Sequence, residues 1–503
     1  MKGNGLIFLS GRLIALVVLI AFQVVLVRVL PVAEYARWAL VFAIATLMQT
    51  VVSFGIPRLI PKYLSQAGVT VGWREARWLA VRLLVYRVMG SALLMAITYA
   101  IAVLLGLVGT LDPVFLAMAS IYVLVNLVQM DADAMAQSLS LQRVSRICTV
   151  GEAIARLALV GGAATLLHGL TATQALAISS LTSAVSAVVL LRSVFSTLSS
   201  TEPTPNAQRI DTREMRMIGL SGYASSMAWF ASSPAVIRMI AGYVLPVFPF
   251  AGFAFAQNLV LSFQRYTPGA LIFPFIEPSA MKHYARTGDQ RRLEMVLSLV
   301  TKIDMIVIGA AVVGATIAGP VIVDIMTKGR YAAFAYALPW LLAYIVMSSI
   351  YRSFEIVAIA LGAASVLMRT LLLSLVWLAI SLVLAQRFGL VALLACPVGD
   401  ALSRLAIMYR SLTKRGVHHA VDVRVAAVIT LAAAVLGVGG LEVLKALRLD
   451  GLAAIGLGVA ATALFGMLIA AIRPFHAAEG ELLLGRHVRR VAFLLRGPIG
   501  GAA

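Results

Sequence analysis

Apolar residues in this chain gather into runs of about twenty, one after another, from Leu6 to just before Arg473, with short polar breaks between them. A helix needs about that many residues to cross the hydrocarbon core of a bilayer. Backbone polar groups cannot stay unpaired in lipid, and runs of this length satisfy them as helices rather than as barrel strands. The pattern predicts an all-α polytopic membrane protein with about fourteen transmembrane helices, the first starting near residue 7 and the last near 451. The first run, 6–30, follows Met1-Lys2 but is long for a secretory signal, contains Arg12 and has no small-residue cleavage pattern before Pro31. It reads as an uncleaved first helix.

Composition agrees with this reading: of 503 residues 61% are hydrophobic and 12% charged, where a soluble domain carries roughly 25% charge. Mean hydropathy is +0.97. Both cysteines, Cys148 and Cys396, fall inside predicted spans, so no disulfide framework is indicated. The six histidines show no ligand spacing, with His418 and His419 side by side in a charged loop. Neither a metal nor a cofactor is expected.

The net charge of +20 changes the picture through its placement. With the N-terminus inside, cytoplasmic segments hold about 25 of the Lys and Arg, outer loops about 7 and the spans about 9. Arg58, Lys62, Arg74, Arg77, Arg209, Arg213, Lys282 and Arg286 are among the inner ones, whereas the outer connections around Asp112, Leu170 and Pro246 carry none. This asymmetry predicts cytoplasmic N- and C-termini in a bacterial inner membrane. It turns the basic excess toward anionic inner-leaflet lipid and away from nucleic acid.

Domain organisation follows from the polar stretches. The longest in the middle of the chain, 196–217, contains Thr201-Glu202-Pro203-Thr204-Pro205-Asn206 and reads as a linker. The expected organisation is a six-helix lobe at 1–196, a cytoplasmic linker at 197–216, a second six-helix lobe at 217–410, two further helices at 411–472, and a basic cytoplasmic tail at 473–503. The tail sets Leu482, Leu483, Leu484, Val488 and Val491 beside Arg486, Arg489 and Arg490, which fits either a helix lying on the inner leaflet or an unstructured tail. The segment Phe54-Gly-Ile-Pro57-Arg58-Leu-Ile-Pro61-Lys62-Tyr63, running to Gly68, resembles Phe273-Pro274-Phe-Ile-Glu277-Pro278-Ser-Ala-Met-Lys282-His-Tyr284, running to Gly288. The two lie six helices apart, the spacing of a parallel duplication.

Ionisable groups inside spans mark pathways or pairs. Glu152 and Arg156, and Asp400 and Arg404, are spaced i,i+4, while Arg352 and Glu355 are i,i+3. Each pair shares a helix face, whether as a structural pair or as part of a cavity wall. Arg12, Arg238 and Arg265 have no acid within four residues. Arg12 and Arg265 read as cavity residues. Arg238, after Pro234, fits either a cavity or a side chain snorkelling to the outer interface. The planar guanidinium stays charged and donates paired hydrogen bonds, which suits phosphate. Further polar candidates for the cavity are Gln49, Asn126, Gln129, Gln257, Asn258, Gln264 and Tyr266. Lys302 and Asp304 are two apart and so face different ways; Asp304 is a candidate for ion coupling. Pro397-Val-Gly399 precedes Asp400 and predicts an interruption of that helix. Asp131-Ala-Asp133 reads as a helix end facing the cytoplasm, since residues two apart on a helix cannot share a metal-bound nucleotide.

Gly11-Arg12, Arg28-Val-Leu-Pro31-Val-Ala-Glu34-Tyr35 and Val52-Ser53-Phe54-Gly55-Ile56-Pro57 resemble Wzx-type oligosaccharide flippases of the multidrug/oligosaccharidyl-lipid/polysaccharide (MOP) exporter superfamily. The resemblance is clearest over the N-terminal segment, while length, helix number and linker position fit along the whole chain. It implies two six-helix lobes around a central cavity plus two C-terminal helices. It also implies an undecaprenyl-pyrophosphate-linked oligosaccharide as substrate, moved from the inner to the outer leaflet for O-antigen or exopolysaccharide synthesis, with a polymerase and a chain-length regulator as candidate partners. In related lipid II flippases arginines of helices one, two and eight are thought to contact the pyrophosphate; by helix, the matching residues here are Arg12, Arg58 and Arg265. No nucleotide-binding motif occurs, so an ion gradient or the membrane potential would drive transport. A multidrug/cation antiporter of the same fold is the first alternative, but it needs a buried acid, and the first span offers Arg12 instead. A polysaccharide polymerase or ligase is a weaker alternative because the outer loops are short. The protein is not expected to be an enzyme.

Overall fold

Residues 2–68, 70–104, 112–167, 169–199, 210–230, 233–417, 421–476, 479 and 495–496 are described in the structure, a computed structural model. At 2–13, 273–280, 282 and a few other positions the description covers the backbone alone. Among the described residues seventeen α-helices follow one another: α1 Lys2–Val29, α2 Val32–Val51, α3 Ile56–Leu64, α4 Trp73–Leu104, α5 Pro113–Ser138, α6 Gln142–Leu166, α7 Ala172–Leu198, α8 Thr212–Phe230, α9 Pro234–Val244, α10 Val247–Gln264, α11 Pro268–Thr287, α12 Gln290–Thr327, α13 Ala337–Ala360, α14 Ala364–Phe388, α15 Leu390–Thr413, α16 Val423–Ala446 and α17 Gly451–Ile472. Phe475–His476 and Leu495–Arg496 form a two-residue parallel pairing.

Among the described residues, eleven helices are long and apolar enough to cross a membrane, and α2 with α3 makes a twelfth if the bent pair is one span. The chain is a multi-pass membrane protein. The other two of the fourteen expected spans correspond to α1, described with side chains only from Ile14, and to α8 with α9. There Pro234 opens a new, eleven-residue helix whose first turn is capped by the Ser233 hydroxyl. The expected eighth span is also divided, into α10 and α11, by Arg265-Tyr266-Thr267. In the other direction, Pro397 causes no interruption: α15 runs unbroken through it from Leu390 to Thr413. Gly399 instead makes room for Trp377 of α14, whose ring lies 2.5 Å from where a Cβ would stand.

Helix starts follow local chemistry. Asp112, Ser233 and Thr267 each precede a proline, and each side chain accepts a backbone N–H of the first turn. Such a cap satisfies a donor that the helix itself cannot, and proline at the next position gives up none that was needed. Thr171 and Gln174 form a reciprocal capping box at the start of α7.

The chain divides into two compact units, Met1–Ala251 and Gly252–Ala503. In the first, α5 packs along α7, α1 along α6 and α2 along α9. A buried apolar cluster seats α3 there, with Ile60, Leu79, Met135 and Leu190 at its centre. In the second, the 38-residue α12 packs against α13, α16 and α17, and α14 against α15. The middle of the expected linker (200–209), His418, His419 and most of the basic tail lie outside the described residues.

Candidate functional site

The first polar centre of unit 1 lies where α2 stops. α2 and α3 are separated by Val52–Gly55 and their axes differ by 61°. The chain turns through two left-handed residues, Phe54 (φ 44°) and Gly55 (φ 76°). A Cβ on Gly55 would come within 2.1 Å of the Gly219 carbonyl oxygen, so α8 meets the turn backbone to backbone. Arg87 reaches in from α4, fully buried. Its Nε and Nη2 donate to both carboxylate oxygens of Asp131 on α5 at 2.8 and 3.1 Å. Its Nη1 donates to the carbonyls of Gln49 and Val52 at 3.1 and 2.6 Å. The first carbonyl belongs to the last turn of α2 and the second to its C-cap, where a helix leaves acceptors without internal partners.

Arg58 follows immediately, exposed in the first turn of α3, with its stem against α8: a Cβ on Gly222 would touch its Cδ at 3.1 Å. At the far end of α3, Lys62 Nζ donates to Glu214 at 2.6 Å and the Tyr63 hydroxyl donates to the same carboxylate at 3.3 Å. The hydrogen bond and charge of Lys62 hold the Glu214 carboxyl below its ordinary pKa.

A second centre joins α1, α5, α6 and α7. Glu152 and Arg156 form the expected ion pair on α6. Arg156 also donates to Ser183 (2.9 Å) and Thr182 (3.4 Å) and lies over the Phe22 ring, 5.7 Å from its centroid. Glu152 further accepts from Gln129 at 3.2 Å and from Ser183 at 2.8 Å. Arg238 is 2% exposed on α9, its guanidinium 5.8 Å from the Phe42 centroid.

In unit 2, α11 begins after the break at Arg265-Tyr266-Thr267. Asp304 of α12 accepts the Gly269 N–H at 2.6 Å and the Ser349 hydroxyl at 2.5 Å. The carboxylate therefore sits at the start of α11, in contact so close that a Cβ on Gly269 would lie 2.3 Å from it. Asp400 pairs with Arg404 at 3.0 Å and accepts from Ser374 at 2.9 Å, while Arg404 lies 4.7 Å from the Tyr351 centroid. Lys302 turns the other way from Asp304, as its spacing predicted. Buried, it donates to both oxygens of Glu479 at 2.9 and 3.0 Å, with Asp422 at 3.7 Å.

Several sequence candidates are thus placed. Arg58 and Arg265 are exposed, each at a helix break. Gln257 and Asn258 are buried on α10, and Gln264 and Tyr266 half-buried beside Arg265. Asn126 and Gln129 are half-buried on α5, and only Gln129 joins a described network. Gln49 contributes its backbone carbonyl to the Arg87 centre. Arg352 is exposed and Glu355 half-buried on α13. The Arg12 side chain lies outside the described residues. Among the described residues no group of three His, Cys, Asp or Glu could hold a metal ion.

One assignment changes, and one residue is new. Asp131 is not a surface acid at a helix end but the buried counter-ion of Arg87. Its neighbour Asp133 points elsewhere, accepting from Ser145 and Gln137. Arg87 itself was missed because its partner is 44 residues away in sequence and a search for acids within four residues passes over it. The available signal was an arginine inside one span and the Asp131-Ala-Asp133 acids of the next.

No protein-family model matches the chain, and no curated protein matches it in sequence. Solved structures do match in fold. The lipid II flippase MurJ in its inward closed conformation superposes with a TM-score of 0.66 at 9% identity, over 92% of this chain and 98% of that one. An inward-facing multidrug resistance MATE family transporter of the MOP superfamily gives 0.54 at 14% identity, over 83% and 98%. A MOP superfamily transporter from Pyrococcus furiosus, described by the reversed polarity of its binding pocket, gives 0.51 at 13% identity, over 80% and 94%. The chain has the fold of these MOP superfamily transporters.

Proposed function

We propose that this protein is a flippase for polyprenyl-pyrophosphate-linked oligosaccharides, working by alternating access in the bacterial inner membrane. The observation that carries the reading is the placement of Arg58 and Arg265: both are exposed cations, and each stands at a break in a helix. A guanidinium is suited to pyrophosphate, because it stays charged and its fork of donors can engage two phosphate oxygens together. The buried acids point the same way. Asp131, Asp304, Asp400 and Glu479, and the half-buried Glu152, all have hydrogen-bonding partners already, four of them a cation.

Arg12, Arg58, Arg238 and Arg265 are the proposed phosphate contacts. Gln129, Gln257, Asn258 and Tyr266 are proposed to meet the sugars, and the polyprenyl chain stays in lipid. Asp304 remains the proposed ion-coupling residue of unit 2, with its cap on α11 as the contact that protonation would loosen. The test is a deletion strain scored for lipid-linked repeat units accumulating on the cytoplasmic side. Wild-type protein is expected to clear them, and Arg58→Ala and Arg265→Ala to fail although present in the membrane. Full clearance by both variants would remove the site assignment. The multidrug antiporter reading has a fold neighbour in its favour; protection of a drug-sensitive strain, without any effect on lipid-linked sugars, would establish it instead.

A further inference from the structure

We infer that Arg87 is a positioning residue, holding the α2–α3 break in its bent form and thereby fixing where Arg58 stands. The inference rests on the proposed role of Arg58 as a phosphate contact. Asp131 alone would satisfy the charge of Arg87, yet the guanidinium also spends Nη1 on the Gln49 and Val52 carbonyls, the acceptors that appear only because α2 ends there. Were α2 to continue straight into α3, these carbonyls would bond within the helix and the buried Nη1 would lose its acceptors. The pair is therefore tied to the bent form and not merely to the packing of α4 on α5.

The same helix makes room for the strained residue. Gly90, one turn along α4 from Arg87, has the Phe54 ring 2.5 Å from its missing Cβ. Phe54 is a bulky residue at positive φ, a conformation that persists only where the surroundings over-determine it. Arg87 and Gly90 provide that from one side, and the Gly55–Gly219 contact with α8 from the other. Arg58 lies three residues beyond Gly55, and its amide donates to the Gly55 carbonyl at 3.0 Å. Its direction follows from the turn. Lysine cannot replace Arg87, because a single ammonium lacks the fork needed to engage a carboxylate edge-on and two carbonyls together.

The test uses the full chain in lipid nanodiscs, with Cys148 and Cys396 changed to Ser and spin labels on Thr46→Cys of α2 and Ser65→Cys at the end of α3, both exposed positions. A single narrow distance is expected with Arg87 intact. Arg87→Met, and the neutral pair Arg87→Gln with Asp131→Asn in case the single variant does not fold, are expected to broaden or shift it. Arg87→Lys is expected not to restore it. An unchanged distance in a folded variant overturns the inference.

A second arm measures binding of undecaprenyl pyrophosphate without sugar. Arg58→Ala and the Arg87 variant are each expected to weaken it about tenfold or more, the effect of losing a hydrogen bond to a charged group. Combined, they are expected to weaken it no further than the larger single change, since the two act through one contact. Multiplying losses would overturn the link from Arg87 to Arg58. If the distance shifts while Arg58→Ala binds normally, the phosphate role of Arg58 fails and the control of the break by Arg87 stands.

Discussion

Two of the helix breaks among the described residues are held by opposite charges. At the α2–α3 break a cation from α4 meets the carbonyls that end α2. At the α10–α11 break an anion from α12 meets the amide that begins α11. Each sign matches the end of the helix it touches, negative at a C-terminus and positive at an N-terminus. The breaks share other parts: a proline in the first turn of the new helix, Pro57 or Pro268, and a left-handed glycine closing the segment, Gly68 (φ 79°) or Gly288 (φ 67°). They differ in what balances the charge. Arg87 has a full counter-ion in Asp131, whereas the hydrogen-bond donors to Asp304 are the Gly269 amide and the Ser349 and Thr267 hydroxyls. The first break is pinned by an ion pair buried within unit 1, the second by a neutral cap within unit 2.

The largest expected effect comes from removing the counter-ion. Asp131→Ala leaves a buried arginine without its acid and should cost about 3–5 kcal/mol, read as thermal unfolding in nanodiscs. Asp304→Ala should cost less, about 1–3 kcal/mol for an unpaired buried amide. Asp304→Asn should recover most of that, because an amide oxygen can still accept. Equal losses for Asp131→Ala and Asp304→Ala would erase the distinction between an ion pair and a neutral cap.

Glycine substitutions sharpen the comparison further. Gly55→Ala meets the Gly219 backbone and requires a left-handed alanine, about 1–2 kcal/mol from the conformation alone. Gly269→Ala meets only the end of the Asp304 side chain, which can turn away, so a smaller shift in the same unfolding measurement is expected.

The smallest effect concerns the exposed Lys62–Glu214 bridge that ties down α3. The folded-state pKa of Glu214 is depressed, so its contribution is present above the unfolded value and is lost as pH falls through the folded one. Glu214→Gln should therefore unfold at a slightly lower temperature than wild type at neutral pH and at the same temperature in acid. A constant difference across that range would mean that charge plays no part.

Much of this could be read from the chain beforehand, and the exceptions have a common cause. Apolar run length located the helices, and i,i+4 spacing found Glu152–Arg156 and Asp400–Arg404 because both members of each pair lie on one helix. Residues two apart diverged as expected, Lys302 toward Glu479 and Asp304 toward Gly269. Arg87–Asp131 was invisible because it closes between helices, and a local pattern carries no record of which helix lies alongside. The breaks at Arg265-Tyr266-Thr267 and Ser233-Pro234 lie inside stretches whose mean hydropathy stays that of a span, since a cap needs only one hydroxyl. Pro397 misled in the other direction: Leu390–Thr413 stays helical through it because packing outweighs the lost hydrogen bond.

The clasp of Lys302 by Glu479 sets an order of events during biosynthesis. The two residues are 177 positions apart, so at ordinary elongation rates the ammonium waits on the order of ten seconds for its acid to leave the ribosome. Asp422 arrives sooner but stands at 3.7 Å, too far for a hydrogen bond. Until Glu479 is made, Asp422 can face the ammonium of unit 2 by charge, at a distance too long for a hydrogen bond. A chain interrupted before Glu479 therefore lacks the two hydrogen bonds that the longer chain makes at Lys302.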